Sequence, residues 1–222
     1  MVIIKILAIV GSTRKNGNTS LLIRSAIEAA GAEGIETEII YLSDYTIADC
    51  TGCEGCRNTF QCVIHDDMQK IYPVLFEADA IILGSPTYFY NIPANVKALL
   101  DRCYCLEIFA EDDRSVWMGI NEALGGKYAV VIAVCEQHSE ADMGYTAEAM
   151  AKPLEALGYR IVDIVKALGL FKKGDVLNDK SAIEQAGKAG KKLAKTLTLR
   201  KEVERKLNSI HRSNETIIAE KD

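Results

Sequence analysis

Ile3-Ile-Lys-Ile-Leu-Ala-Ile-Val-Gly-Ser-Thr-Arg-Lys-Asn-Gly-Asn-Thr-Ser20 is the stretch on which the fold turns. Residues 3–10 form a nearly unbroken apolar, β-branched run. A strand with one face in water would alternate; this one suits a strand buried on both faces of a parallel sheet. The run stops at Gly11, and a polar, turn-forming loop follows. From Leu21 the period changes: Leu22, Ala26, Ala29 and Ala30 lie on one helical stripe. Asn18, Thr19 or Ser20 can cap that helix, and Gly31 or Gly34 should end it.

The same alternation continues outward. Strand patterns are read at 37–42, 80–84, 128–134 and 159–165. Helical patterns are read at 66–78, 93–103, 143–157 and 181–207. Pro93 suits a helix start, whereas Pro73 and Pro153 should kink or shorten their helices. Residues 43–65 are irregular. Residues 106–126 show no clean period and read as a loop or lid. Five buried strands alternating with helices predict an α/β fold, with a parallel sheet covered on both faces. Residues 1–197 are read as one domain. Residues 198–222 are read as a helical or partly disordered C-terminal extension, either a solvated helix or a subunit contact.

The bulk properties are those of a globular protein. Of 222 residues, 49% are apolar and 26% charged, and the formal charge is -5. This balance gives no electrostatic reason to expect nucleic acid or an anionic membrane as partner. No apolar stretch approaches membrane-spanning length. Met1 to Val10 lacks the basic start and cleavage pattern of a signal peptide, so the expected compartment is the reducing cytoplasm. The chain has 7 Cys, an odd number, and four of them fall within residues 50–62. In that setting, metal or redox chemistry is expected rather than structural disulfides.

Two loops carry candidate binding chemistry. Residues 11–20 connect the first strand to a helix N-terminus, where free amides and the helix dipole favour an anion. Ser12, Asn18, Thr19 and Ser20 add donors, and Arg14 adds a fixed charge. A phosphate monoester fits this set. The loop lacks the Walker Gly-Lys-Ser/Thr and is not G-x-G-x-x-G. The plainer alternative is a polar turn with a helix cap. After the third strand comes Ser85-Pro-Thr-Tyr-Phe-Tyr-Asn-Ile-Pro93. Its three consecutive aromatics either cover the core or an interface, or wall a flat ring. In a doubly wound sheet, ligands bind at the carboxyl ends of the strands. A phosphate cradle beside an aromatic loop suggests a mononucleotide with a planar head.

Gly11-Ser12-x-Arg14 with Asn18-Thr19-Ser20, Ser85-Pro86-x-Tyr88 with Pro93-Ala94, and Lys97-x-x-x-Asp101-Arg102 together resemble the NAD(P)H-dependent FMN reductases of the flavodoxin-like group. The resemblance implies a flavodoxin-like sheet of strand order 2-1-3-4-5 and bound FMN. It places the phosphate on Ser12, Thr13, Arg14, Asn16, Gly17, Asn18, Thr19 and Ser20. It places the ring along Pro86, Thr87, Tyr88, Phe89, Tyr90 and Asn91, flanked by the loop that Cys135 opens. Many relatives carry a glycine-rich stretch in that last loop, where this chain has Glu136-Gln137-His138-Ser139.

Cys50, Cys53, Cys56 and Cys62 form C-x2-C-x2-C-x5-C, with Gly52 and Gly55 permitting a tight backbone. The tandem spacing is that of cubane iron–sulfur clusters. Four-thiolate zinc, reversible disulfides and idle thiols are the alternatives. With Asp66-Asp67-Met68, the stretch resembles the iron-sulfur flavoprotein branch of the family. That resemblance implies a [4Fe-4S] cluster and a homodimer or homotetramer, with each cluster near a flavin. The expected function is an FMN-dependent oxidoreductase. NAD(P)H or a reduced carrier would supply electrons, and FMN and the cluster would pass them to a small-molecule or protein acceptor. The alternatives are a pure electron-transfer protein and a metal-binding module without turnover. Flavin supplies its own redox chemistry, so no catalytic side chain is required. Cys103, Cys105 and Cys135 fit no ligand spacing and read as small buried residues. His65, His138 and His211 are scattered; His138 reads as a solvated loop residue, with contact to the flavin as the alternative. Trp117 reads as core packing, with packing on the lid or the flavin ring as the alternative.

Overall fold

The computed structural model describes residues 3–219, with side chains described as far as Ile210. Five strands form one parallel sheet: β1 (Lys5–Val10), β2 (Glu36–Tyr41), β3 (Ala80–Pro86), β6 (Lys127–Val134) and β7 (Tyr159–Ala167). Their order in space is β2-β1-β3-β6-β7, which is the expected 2-1-3-4-5 for the five sheet strands. Ile6 to Val10 are all buried, and their side chains alternate between two cores. Leu7, Ile9, Leu83 and Val131 meet α2 (Met68–Glu77), α3 (Ala94–Arg102) and α6 (Thr146–Ala156). Ile6, Ala8, Ile82 and Ile132 meet α1 (Asn18–Gly31) and α7 (Lys180–Ala219) on the other face. Each of these Leu, Ile and Val side chains, fully buried, contributes about 1.5–3 kcal/mol of transfer free energy.

Several expectations are corrected by the structure. The residue that caps α1 is Gly17, with no side-chain cap bond; the Asn18 amide and the Ser20 hydroxyl expected there are used elsewhere. Pro73 and Pro153 sit inside α2 and α6, which run through them. Residues 106–126 are not a plain loop. They hold the antiparallel pair β4 (Glu107–Phe109) and β5 (Trp117–Gly119), then the short α4 (Ile120–Ala123). Trp117 is 46% exposed rather than in the core. On the hairpin its ring neighbours Phe109, which in turn neighbours Tyr104, so the aromatics cover one another. The remaining short helix, α5 (Glu140–Met143), follows β6. Helix α7 passes residue 198 without a break, and residues 220–222 and the side chain of His211 lie outside the described residues.

Helices α1 and α7 touch through small residues. A Cβ on Gly190 would lie 2.0 Å from the Ala26 carbonyl oxygen, so glycine is what permits the crossing. Gly190→Ala should therefore push the helices apart and lower stability by about 1–3 kcal/mol. Denaturant unfolding of the two proteins measures it; equal midpoints would contradict the close crossing.

Candidate functional site

Strand β1 lies between β2 and β3, with Val10 in register with Gly84. The loops after β1 and β3 therefore leave from adjacent carboxyl ends. The Gly11 amide donates to the Gly84 carbonyl at 2.8 Å. A Cβ on Gly11 would stand 2.3 Å from Val96, and one on Gly84 would stand 2.6 Å from Ile23. Asn95 ties the Gly11 carbonyl to α3 at 3.0 Å. Between these loops opens a cavity of about 430 Å³.

The first loop forms one wall with Ser12, Arg14, Gly17, Asn18 and Thr19. A turn closes as Gly17 N–H donates to Arg14 C=O at 2.8 Å, and Arg14 N–H donates to Ser12 Oγ at 3.1 Å. Leu21 N–H is the amide that bonds back to Gly17 C=O. The amides of Asn18, Thr19 and Ser20 precede it in the first turn, where no intrahelical acceptor exists, and the positive helix end faces this wall. Asn18 is otherwise engaged. Its Nδ2 donates to the Leu170 and Lys172 carbonyls, and its Oδ1 accepts from Gly174 and Val176. Ser20 Oγ donates to the Lys15 carbonyl at 2.6 Å. The side chains of Asn18 and Ser20 thus hold the loop together. Thr13 and Asn16 are exposed and do not line the cavity.

The opposite wall comes from Pro86, Thr87, Tyr88 and Phe89. Thr87 N–H donates to Val134 C=O at 2.6 Å, while its buried Oγ1 has no hydrogen-bond partner. Tyr88 and Asn91 exchange both backbone hydrogen bonds, at 2.7 and 3.1 Å. The two residues between them have left-handed backbones, Phe89 at φ 47° and Tyr90 at φ 66°. A two-residue turn with both central φ positive is type I′, which normally takes Asn and Gly. Left-handed backbone costs an ordinary residue about 1–2 kcal/mol. Tyr90 is held from outside: its carbonyl accepts from Tyr145 N–H at 2.8 Å, and Gly144 packs where a Cβ would come within 2.3 Å of that oxygen. Phe89 is 96% exposed. Such held strain tends to gather at binding and catalytic sites. Tyr90 and Asn91 stand behind this wall and do not line the cavity.

Val134, Glu136, Leu170 and Phe171 complete the lining. Cys135 is buried beneath it, bonded through its backbone to Ala167 and Leu170. Arg14 reaches the Phe171 carbonyl at 3.1 Å and bridges the first and last of these loops.

The cysteine loop forms a second locus. Cys50 and Cys53 are exposed, Cys62 is half-buried and Cys56 is buried, all as free thiols. Burial first, then the nearby Cys62, Cys53 and Cys50, pushes the Cys56 thiol pKa up. Backbone and Thr51 hydrogen bonds hold the Cys53 pKa below the usual thiol value. Among the described residues, no three metal-ligating side chains meet at metal-binding distance. The base of the loop is closed by Asp66, whose carboxylate accepts from Ala48 N–H and Met68 N–H, at 2.8 and 2.9 Å. Arg102 pairs with it at 2.5 Å and also donates to the Ala48 and Ile64 carbonyls. Burial pushes the Asp66 pKa up, but Arg102 and the two amides outweigh it and hold the carboxyl below its ordinary range. At the far end, Arg114 between β4 and β5 pairs at 2.7 Å with Glu54, itself left-handed at φ 55°.

The NADPH-dependent FMN reductase family matches residues 4–162. The chain belongs to this family. Over 104 residues it is 47% identical to an iron-sulfur flavoprotein of Methanocaldococcus jannaschii, a match covering 47% of this chain and 54% of that protein. Over 170 residues it is 32% identical to an iron-sulfur flavoprotein of Archaeoglobus fulgidus, covering 77% and 66%. The first of these matches thus spans about half the length of its relative. A flavodoxin from the domain Archaea superposes with a TM-score of 0.53 over 88% of this chain and 99% of that one, at 14% identity. That likeness shows a flavodoxin-like fold.

Sequence reasoning did not name Val134, Leu170 or Phe171 among the lining residues. The aromatic at 171, just past Gly169 and the last strand, was the available signal. No helix among the described residues is long and apolar enough to cross a membrane.

Phe89→Asn should relieve the turn and raise stability by about 1 kcal/mol, since Asn tolerates left-handed backbone and little packing is lost. Thermal unfolding checks this; a lower midpoint would contradict a strained turn. Asp66→Asn should cost about 3 kcal/mol at neutral pH, by leaving Arg102 buried without its counter-charge. A depressed carboxyl pKa stabilises the fold above the ordinary carboxylate range, and that stability is lost as pH falls through the folded value. The gap between the two proteins should therefore narrow in acid, as urea titrations across pH would show.

Proposed function

We propose that the cleft binds FMN and that the protein is an FMN-dependent oxidoreductase. Electrons from NAD(P)H or a reduced carrier would pass through FMN and a [4Fe-4S] cluster to a small-molecule or protein acceptor. The observation that carries this reading is the pairing of a helix-end anion cradle with a strained aromatic turn across one cavity. Family membership and the names of the iron-sulfur relatives support it.

The phosphate fits the first wall. Ser12, Arg14, Thr19 and the free amides of the first helical turn would hold it, and Gly17 keeps the turn open. Asn18 and Ser20 would act one step back, fixing the loop's shape. Thr13 and Asn16 would sit at its exposed edge. The ring fits the second wall, along Pro86, Thr87, Tyr88 and Phe89, with Tyr90 and Asn91 fixing the turn and Cys135 supporting the floor. The unpartnered Thr87 Oγ1 would find a partner on the ring's polar edge. Glu136 places a carboxylate at the mouth of the cleft. Bound FMN supplies the conversion between two-electron and one-electron steps.

Cys50, Cys53, Cys56 and Cys62 are an all-thiol donor set of the kind that soft metals and iron–sulfur clusters require. They share one loop whose ends are fixed, and the loop must tighten to bring all four onto one centre. We place the protein in the cytoplasm as a homodimer or homotetramer, without nucleic-acid or membrane partners.

Protein made with ample riboflavin and purified anaerobically should carry flavin bands and a broad brown shoulder. A colourless protein would defeat the flavin reading, and zinc without iron would defeat the cluster. Rapid bleaching of the flavin by NADPH in stopped flow would mark an enzyme rather than a carrier. Thr87→Val should weaken FMN binding about tenfold, the value of one buried hydrogen bond, while leaving apoprotein stability unchanged or higher. Titration calorimetry with FMN measures the loss; equal affinity would remove Thr87 from the ring's contacts.

A further inference from the structure

Among the described residues, two buried side-chain polar atoms lack a hydrogen-bond partner: Thr87 Oγ1 and Arg102 Nε. The first lines the cleft. The second lies under the cysteine loop and does not line the cleft.

Arg102 ends α3 and is 1% exposed. A guanidinium has five N–H donors. Four are accounted for. One terminal nitrogen donates to Ala48 C=O at 3.0 Å and to Asp66 at 2.5 Å; the other donates to Ile64 C=O and to Asp66, both at 3.2 Å. Ala48 and Ile64 bracket the four cysteines in sequence. One side chain thus joins both ends of the loop. Around it, Gln69 donates to the Cys62 and Ile64 carbonyls at 3.0 Å. The Arg102 carbonyl accepts from Tyr72 Oη at 2.8 Å and from the Cys105 thiol at 3.4 Å. Burial pulls the guanidinium's pKa down, but Asp66 and then the Cys62 thiol outweigh it and push it up. A buried N–H without a partner is rare in native proteins and calls for an explanation.

We propose that Arg102 is a positioning residue of the cysteine centre: it clamps the two ends of the ligand loop and offers its spare Nε–H to sulfur held there. This rests on the reading that the four thiols bind a cluster. Hydrogen bonds to sulfur, and a fixed positive charge beside it, favour the more negative reduced state and raise the reduction potential. Lys at this position would keep a charge, but as a point ammonium without the planar fork it would not serve both loop ends and the sulfur.

The test uses the full chain, reconstituted anaerobically with iron and sulfide, as wild type, Arg102→Lys and Arg102→Gln. Iron and sulfide contents report loading, and redox titration followed by EPR reports the potential. Limited proteolysis of the metal-free chain reports the clamp. At a fixed potential, the reduced-to-oxidised ratio in loaded Arg102→Lys should fall about tenfold, equivalent to about 59 mV for a one-electron couple. Cleavage within residues 48–64 should be faster in both variants. Should the Gln variant not fold, the Lys variant decides. An unchanged potential in a loaded variant overturns the inference, whatever the loop does, because a purely structural arginine would leave it unmoved. Wild type that takes up no iron or sulfide overturns the cluster reading itself, and this inference with it.

Discussion

Parallel pairing of β1 with β3 is the constraint on which the site depends. It sets the carboxyl ends of two strands, far apart in sequence, side by side. Gly11 and Gly84 let α3 and α1 pack against that junction without a side chain in the way. The loop that ends in a helix dipole then faces the loop that carries the aromatics. Neither loop makes a cleft alone. A bulkier residue at either glycine would meet Val96 or Ile23 and separate the walls.

The cleft walls are not relaxed surfaces. The Phe89-Tyr90 turn keeps two aromatic residues in a backbone region suited to Asn and Gly, and it survives because Tyr145 and Gly144 grip Tyr90 from behind. Strain that the surrounding structure over-determines is a means of presenting a rigid surface to a ligand. The two unpartnered buried atoms follow the same logic. Thr87 Oγ1 and Arg102 Nε are the described side-chain atoms whose burial goes uncompensated. One lies at the cleft and the other under the cysteine loop, the two places where the sequence motifs predict binding chemistry. Each breaks the rule that buried polar groups are bonded.

The cysteine loop is organised from its base rather than from its thiols. Asp66 and Arg102 form a nearly buried ion pair and direct further hydrogen bonds to the backbone of both loop ends. Such a pair is weak evidence for stability, because desolvation offsets much of its attraction. Its value here is geometric: the ends are fixed while Cys50 and Cys53 stay open to solvent.

The sequence by itself determined the parts that depend on local periodicity. Apolar runs marked β1, β3 and β6 most plainly, β-branched residues between charged ones marked β2 and β7, and spacing marked the four cysteines and the two loops that wall the cleft. It is least decisive where one residue type can serve two ends. Asn18 and Ser20 looked like donors to a ligand, but their side chains tie the loop to residues some 150 positions away and to Lys15. Residues 106–126 carry no period because a two-stranded hairpin of three-residue strands is too short to show one. Trp117 read as core because tryptophan usually is, yet its neighbours on the hairpin cover it only in part. Only the tertiary structure decided the left-handed aromatic turn, the roles of Leu170 and Phe171, and the unpartnered donor of Arg102. These depend on contacts between segments that the chain's order keeps apart, and local sequence patterns hold no record of such contacts.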